Sequence, residues 1–392
     1  MSLELSKNQK IALETALRGD NIDLSGKAGT GKSFVIKKII KEFSKKEKNV
    51  VVVAPTGVAA NNVGGQTIHS LFSLGIHGIL DYDKCKFVNN PKRRLFKNID
   101  VLIIDEISML RPDILDAINW TLLKNGSGGL TEKQVIFVGD LKQLPAAVDD
   151  NSKSILLQKY NGVDFTFSHI YKKLNPTKIE LKEVLRQSDP EFIENLNIIR
   201  ENKKSPYFRK FISKNTKGIV LAPHNSTVQE YNVRGLKEVD SKLIEYTAEI
   251  EGPVKMSNFN AEPLIQVKNG CKIMYLANSK NNNLVNGTIG TFYLMDGDPF
   301  IRVGTNNYLI ESMKFVKKEY VLNERNDTLE LKEIGSMTQL PIKLAYALTI
   351  HKSQGLTFDE VTVDLTKKCF MKGQLYTALS RVKTPEGLSI II

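Results

Sequence analysis

The chain has 392 residues, 41% of them hydrophobic, a length that suggests two or three domains and an apolar content that excludes a disordered chain. Its 55 Lys plus Arg stand against 43 Asp plus Glu, a net charge of +12 that makes a polyanion a candidate partner, although surplus lysine can also serve solubility alone. The opening MSLELSKNQK carries no apolar leader core and no apolar run approaches membrane-spanning length, so neither secretion nor a membrane partner is expected.

In chain order, NIDLS (21–25) reads as a strand and SFVIKKIIKEFSKK (33–46) as a helix with Phe34, Ile36, Ile39, Ile40 and Phe43 on one stripe. VVVVA (50–54), VLIID (101–105) and QVIFVGD (134–140) are β-branched runs without alternation, the pattern of parallel strands buried on both faces. Together they predict a doubly wound α/β domain, whose ligands bind beyond the carboxyl ends of the strands. Residues 165–235 read as mixed and helix-rich, with the basic run RENKKSPYFRKFISKNTKG (200–218) as a solvated face. Residues 240–335 switch to a β pattern, seen in CKIMYLANSKNNNLVNGTIGTFYL (271–294) and KFVKKEYVL. The α/β pattern then resumes through EVTVDL to LYTALSRV (375–382), where Arg381 sits inside an otherwise apolar helix end and demands an anionic partner or a path to water. Three scattered cysteines, Cys85, Cys271 and Cys369, form no zinc or disulfide pattern and suit a reducing cytoplasm, bacterial or viral in a host cell, with nucleoid association.

GKAGTGKS (26–33) fits G-x-x-x-x-G-K-[ST] between a strand and an amphipathic helix. Gly26, Gly29 and Gly31, with Lys27, Ala28 and Thr30 between them, let backbone N–H groups converge on the phosphates of ATP. Lys32 reaches the β and γ phosphates and the Ser33 hydroxyl can ligate Mg²⁺. VLIIDEIS ends a strand in two acids: Asp105 to hold the Mg²⁺ water shell, Glu106 to orient and deprotonate the attacking water. Gln143, in VGDLKQLP, is a candidate sensor of the γ-phosphate.

With these blocks in place, a resemblance emerges. GKAGTGKS, APTGVAA (54–60), TIHSLF (67–72), IIDEISML (103–110), FVGDLKQLPAAV (137–148), LKEVLRQSD (181–189), LAYALTIHKSQGLTF (344–358) and YTALSRV (376–382) follow the order of the superfamily-one helicase motifs. TIHKSQG with ALSR is most similar to the Pif-type helicases and their relatives, RecD and the phage Dda helicase. The resemblance runs from residue 9 to residue 382. It implies two RecA-like parallel-sheet domains with ATP between them. The expected bounds are 1–165 for the first, with a wedge insert near 73–98, 166–239 plus 336–392 for the second, and 240–335 for an SH3-like β insert. It also implies a monomer that moves 5′ to 3′ on single-stranded DNA and opens tailed duplex DNA, in replication, repair or recombination, without accessory terminal regions. Gln9 takes the place of the adenine-reading glutamine, and Gly355, with Gln354, approaches the nucleotide. Arg186 and Arg381 match the two arginines that reach the γ-phosphate, an anionic partner for the buried guanidinium.

The strand-contacting places fall on Pro55, Thr56, Thr67, His69, Phe72, Thr349, His351 and Lys352. Hydroxyl, imidazole and ammonium groups hold phosphates without reading bases, and Phe72 or His69 could stack on one. Each has a plainer reading, Phe72 as core above all and His69 as a structural histidine. Lys92, Arg93 and Arg94 are charged loop residues that could meet the duplex fork, and Trp120 is expected in the core. Two other functions stand beside DNA unwinding: a superfamily-one helicase acting on RNA, and a nucleotide-switched binding module. Glu106, Arg186 and Arg381 argue against the module, because a switch needs no full hydrolytic set.

Overall fold

The computed structural model describes residues 5–392 apart from 76–77, 184–186, 188, 255, 257–258, 280–283 and the side chains at 58 and 62. The chain divides into two compact units, residues 1–186 with 318–333, and residues 187–317 with 334–392.

The first unit is built on six parallel strands: β1 (Ile22–Gly26), β2 (Val50–Ala54), β3 (Gln66–Thr67), β4 (Val101–Ile104), β5 (Gln134–Gly139) and β6 (Thr177–Leu181). Their order across the sheet is β3-β2-β4-β5-β1-β6. The V/I-rich runs are explained by burial on both faces. Alternate residues of β4 feed two cores: Leu102 and Ile104 join Phe72, Phe96, Phe137 and Phe165, while Val101 and Ile103 join Leu24, Val35, Ile36, Ile39 and Phe43. Among the described residues the sheet is accompanied by α1 (Lys7–Arg18), α2 (Lys32–Lys45), α3 (Gly57–Asn62), α4 (Ile68–Leu71), α5 (Asn90–Lys97), α6 (Pro112–Lys124), α7 (Asp150–Tyr160) and α8 (His169–Leu174). On α2 the buried face is Val35, Ile36, Ile39 and Phe43, whereas Phe34 and Ile40 of the expected stripe are half-buried. Trp120 on α6 is half-buried and packs against the first core.

Two boundaries differ from the expected ones. The first domain does not stop at 165, because β6 pairs in register with β1 along Ile22–Gly26. As the edge strand it buries only Ile179 and Leu181, so it lacks the apolar run of its neighbours. Residues 318–333, expected in the β insert, also pack with this unit. The Tyr320 hydroxyl accepts a hydrogen bond from the Val52 N–H at 2.9 Å, and the Tyr320 N–H donates to Gln66 Oε1 at 3.1 Å. Ser70 donates to Glu319 at 3.1 Å and Arg94 pairs with Glu324 at 2.8 Å.

In the second unit α9 (Pro190–Arg200) precedes β7 (Ile219–Ala222) and α10 (Asn225–Glu238). There follow β8 (Leu243–Thr247), β9 (Glu249–Glu251), β10 (Leu264–Lys268), β11 (Lys272–Tyr275), β12 (Ile289–Met295), β13 (Asp298–Val303) and β14 (Asn306–Leu309). The long β15 (Met313–Asn323) and β16 (Thr328–Gln339) carry the 318–333 segment, and β17 (Ile342–Leu344) closes this antiparallel region. Its core centres on Val267, Ile273, Phe292, Ile301 and Ile342. A second parallel sheet, ordered β18-β7-β19-β20, comprises β7, β18 (Ala347–Thr349), β19 (Val361–Asp364) and β20 (Leu388–Ile391), with α11 (Gln374–Leu379) before its last strand. Among the described residues no helix is long and apolar enough to cross a membrane.

Candidate nucleotide site and nucleic-acid interface

Sheet order assembles the site of the first unit. β5 lies beside β1 and β4 beside β5, all parallel, so the loop after β1, the acids after β4 and the turn after β5 share one carboxyl edge. Gly29 and Gly31 take φ of +80° and +81°, which a side chain would strain. Gly26 is tight for another reason: a Cβ there would lie 2.6 Å from Thr30 Oγ1. Lys32 opens α2, and its ammonium donates to the Gly26 and Lys27 carbonyls at 2.7 and 3.2 Å, over the loop it is expected to serve. Ser33 follows, exposed. Gln9, buried on α1, donates to the Thr30 carbonyl at 3.2 Å and accepts from the Ser6 N–H at 3.0 Å. Ala28 and Thr30 are buried in the same loop.

Asp105 is buried, and desolvation, then repulsion from Glu106, hold its carboxyl well above the usual carboxylate range; Lys32 partly opposes this. The Glu106 N–H donates to Asp105 Oδ1 at 2.9 Å. Glu106 itself sits at φ 50°, ψ 42°, a left-handed conformation costing a non-glycine residue about 1–3 kcal/mol. The strand therefore ends in a kink at the residue expected to act as base. Gln143 is buried and donates to Asp140 Oδ2 at 3.4 Å, while Asp140 accepts the Gln143 N–H through its carbonyl at 2.9 Å. Asp140 is thus a positioning residue that sequence reading missed, its only signal the acid ending a buried strand.

On the same unit β2 and β3 run side by side, Ala54 opposite Thr67, which brings Pro55 and Thr56 next to Thr67. Both threonines cap short helices: Thr56 Oγ1 accepts from Ala59 N–H at 3.2 Å and Thr67 Oγ1 from Ser70 N–H at 3.3 Å. His69 is half-buried, and burial, reinforced by the Arg111 guanidinium, lowers its pKa; it is a neutral imidazole near pH 7. The expectation for Phe72 is corrected. Its ring is fully buried and stacked on Phe96 at 5.5 Å, leaving no face for a base. Lys92 donates to the Ser70 carbonyl and to Ser73 Oγ, both at 2.8 Å, so it braces the loop rather than standing free.

In the second unit Thr349 ends β18, buried, with its hydroxyl accepting from the Lys352 N–H at 3.3 Å. His351 is half-buried, which lowers its pKa, and Lys352 is exposed. Gly355 has φ +80°. Arg381 is 1% exposed, and its guanidinium donates to the Thr377 carbonyl at 2.9 Å, Ser380 Oγ at 2.8 Å and the Leu356 carbonyl at 3.4 Å. A charge so buried is tolerable only with its donors used. The adjoining backbone is pinned by Gln187, missed in the sequence, whose amide donates to the Ser380 and Val382 carbonyls, each at 3.0 Å. Arg186 lies outside the described residues.

Known proteins resemble this chain in sequence and in fold. The family model for PIF1-like helicase matches residues 4–225, and that for the UvrD-like helicase C-terminal domain matches residues 344–384. The ATP-dependent DNA helicase Pif1 of Campylobacter jejuni is 30% identical, the match covering 96% of this chain and 90% of that protein. The ATP-dependent DNA helicase PIF1 of Danio rerio is 32% identical, the match covering 99% of this chain and 61% of that protein. Bacteroides sp. Pif1 in complex with ADP-AlF4 superposes with a TM-score of 0.90 at 31% identity, covering 99% of this chain and 92% of that one. Bacteroides Pif1 bound to single-stranded DNA aligns over the same shares with a TM-score of 0.69 at 32% identity.

Proposed function

Since the chain belongs to the PIF1-like helicase family, we propose that it is an ATP-dependent DNA helicase that moves 5′ to 3′ on single-stranded DNA and separates tailed duplex. The observation that carries this is the single carboxyl edge where the phosphate loop, the Asp105–Glu106 pair and Gln143 meet. Loop N–H groups and Lys32 bind the triphosphate, Gln9 reads adenine, and Glu106 takes the proton of the attacking water. Gln143, Arg186, Gly355 and Arg381 contact the nucleotide, the two arginines meeting charge at the γ-phosphate; such a finger contributes on the order of 10³–10⁵ in rate. Pro55, Thr56, Thr67, His69, Thr349, His351 and Lys352 hold the strand. The antiparallel insert is SH3-like, and the working unit is a monomer.

Mg²⁺ fits the donors present. It takes oxygen ligands and keeps several waters, so Ser33, Asp105 and the phosphates suffice. Among the described residues no group of three His, Cys, Asp or Glu could hold a metal alone. The raised pKa of Asp105 marks a buried carboxylate that a dication would return to its ionised form. Bound, the ion neutralises charge developing on the phosphate oxygens.

ATP hydrolysis measured with and without single-stranded DNA, together with unwinding of forks bearing only a 5′ or only a 3′ tail, tests the reading. Hydrolysis should rise steeply with DNA, Lys32→Ala should abolish it, and only the 5′-tailed fork should open. Turnover indifferent to DNA would leave a binding module, stronger stimulation by matched RNA an RNA helicase, and opening of only the 3′-tailed fork the opposite polarity.

A further inference from the structure

Phe370 is a large apolar side chain left 58% exposed, in the loop between β19 and α11. The loop is held in place. The Phe370 and Met371 N–H groups both donate to Gln374 Oε1, at 3.0 and 3.2 Å, and Gln374 is fully buried at the start of α11. Two imidazoles lie close to the phenyl ring. His224 lies 5.1 Å away between centroids at 41°, and His351 lies 6.2 Å away at 23°. His224 Nε2 is 3.2 Å from the Lys368 carbonyl, which ties that ring to the same loop.

The three rings share one origin. His351 follows β18, His224 follows β7 and Phe370 lies beyond β19, and these strands are neighbours in one parallel sheet. All three therefore stand at its carboxyl edge, where α/β sheets bind ligands. Burial lowers the pKa of His351, so its ring is an uncharged face near neutral pH, suited to stacking more than to pairing with a phosphate. The same loop, TKKCFMK, carries Lys368 and Lys372, both exposed, and Lys352 is exposed next to His351 in the chain; Lys367 is paired with Glu230 at 3.5 Å. An exposed aromatic ring on a lysine-bearing loop is the pairing that single-stranded nucleic acid uses: bases stack, phosphates meet lysine.

We propose that Phe370, set beside His224 and His351 and largely exposed, is a platform on which one base of the bound single strand stacks. The platform rests on the reading of this chain as a DNA helicase, and it gives that reading a contact independent of sequence, because every base has a π-face.

Binding of a fluorescent oligothymidylate of roughly a dozen nucleotides, followed by anisotropy over a salt series, tests it in the full chain. Phe370→Ala and Phe370→Leu should weaken binding about five- to hundredfold, Phe370→Trp should restore it, and the salt slope should stay that of the wild type. Leucine keeps the apolar volume, so its failure isolates the loss of the ring. Wild-type affinity in Phe370→Leu, a Trp variant as weak as Ala, or a salt slope that falls with affinity would each overturn the platform alone. A wild-type protein that ignores the oligonucleotide would overturn the platform and the helicase reading together.

Discussion

Gln187→Leu tests whether the backbone around Arg381 is held as described. Leucine roughly preserves volume but donates nothing, so the Ser380 and Val382 carbonyls each lose a hydrogen bond of 3.0 Å. A buried polar group left unpaired costs about 1–3 kcal/mol. Carbonyls, with a second lone pair, sit towards the lower end, so the two together should cost about 2–4 kcal/mol. With a urea m-value of about 1–3 kcal/mol/M, the transition of the affected unit should move down by about 0.7–4 M. The freed segment carries Arg381, so DNA-stimulated kcat should also fall, about tenfold or more, while KM for ATP changes little. Both readings are needed. An unchanged urea midpoint would refute the burial argument. A lowered midpoint with wild-type kcat would show that the pin supports the fold without setting Arg381.

Three further outcomes are expected. Burial, then the neighbouring Lys352, push Lys343 down to about 8 from 10.5; the unfolded chain binds the extra proton between those values, so the second unit should gain stability in urea unfolding as pH rises from about 8 towards 10.5, and Lys343→Met should flatten that rise. Tyr320→Phe should destabilise the first unit by about 1–3 kcal/mol in urea unfolding, because the Val52 N–H loses its buried acceptor. Single-strand binding should fall with salt at a log–log slope of about 0.7 per phosphate contact, and Lys352→Ala should reduce that slope.

What could be read in advance follows the reach of each interaction. β4 and β5 were legible because burial on both faces writes an unbroken V/I run into a few residues. β6 was not, since an edge strand needs only Ile179 and Leu181 inside. Motif spacing put Asp105 and Glu106 just past the end of β4 and Lys32 at the start of α2, where the structure has them; the apolar setting of Arg381 asked for a partner, and the structure supplies carbonyls and a hydroxyl. An aromatic letter does not tell which way its ring faces, which is why Phe72 went to the core and Phe370, unremarked, to the surface. Gln187, His224 and Tyr320 act through contacts that no local pattern encodes, each with a partner more than a hundred residues away.

The Tyr320 contact also bears on the order of synthesis. The Val52 N–H and its acceptor are 268 residues apart in the chain. At about 5–20 residues per second, a ribosome needs roughly ten seconds to a minute to deliver the second after the first. For the later part of that interval, once residue 181 has been made, β1 to β6 can pair, yet part of their surface stands uncapped, a period in which chaperone capture or misassociation competes with completion. Cutting the gene after residue 186 would make that unfinished surface permanent, so the amino-terminal fragment should be a poor stand-in for the unit as it exists in the whole protein.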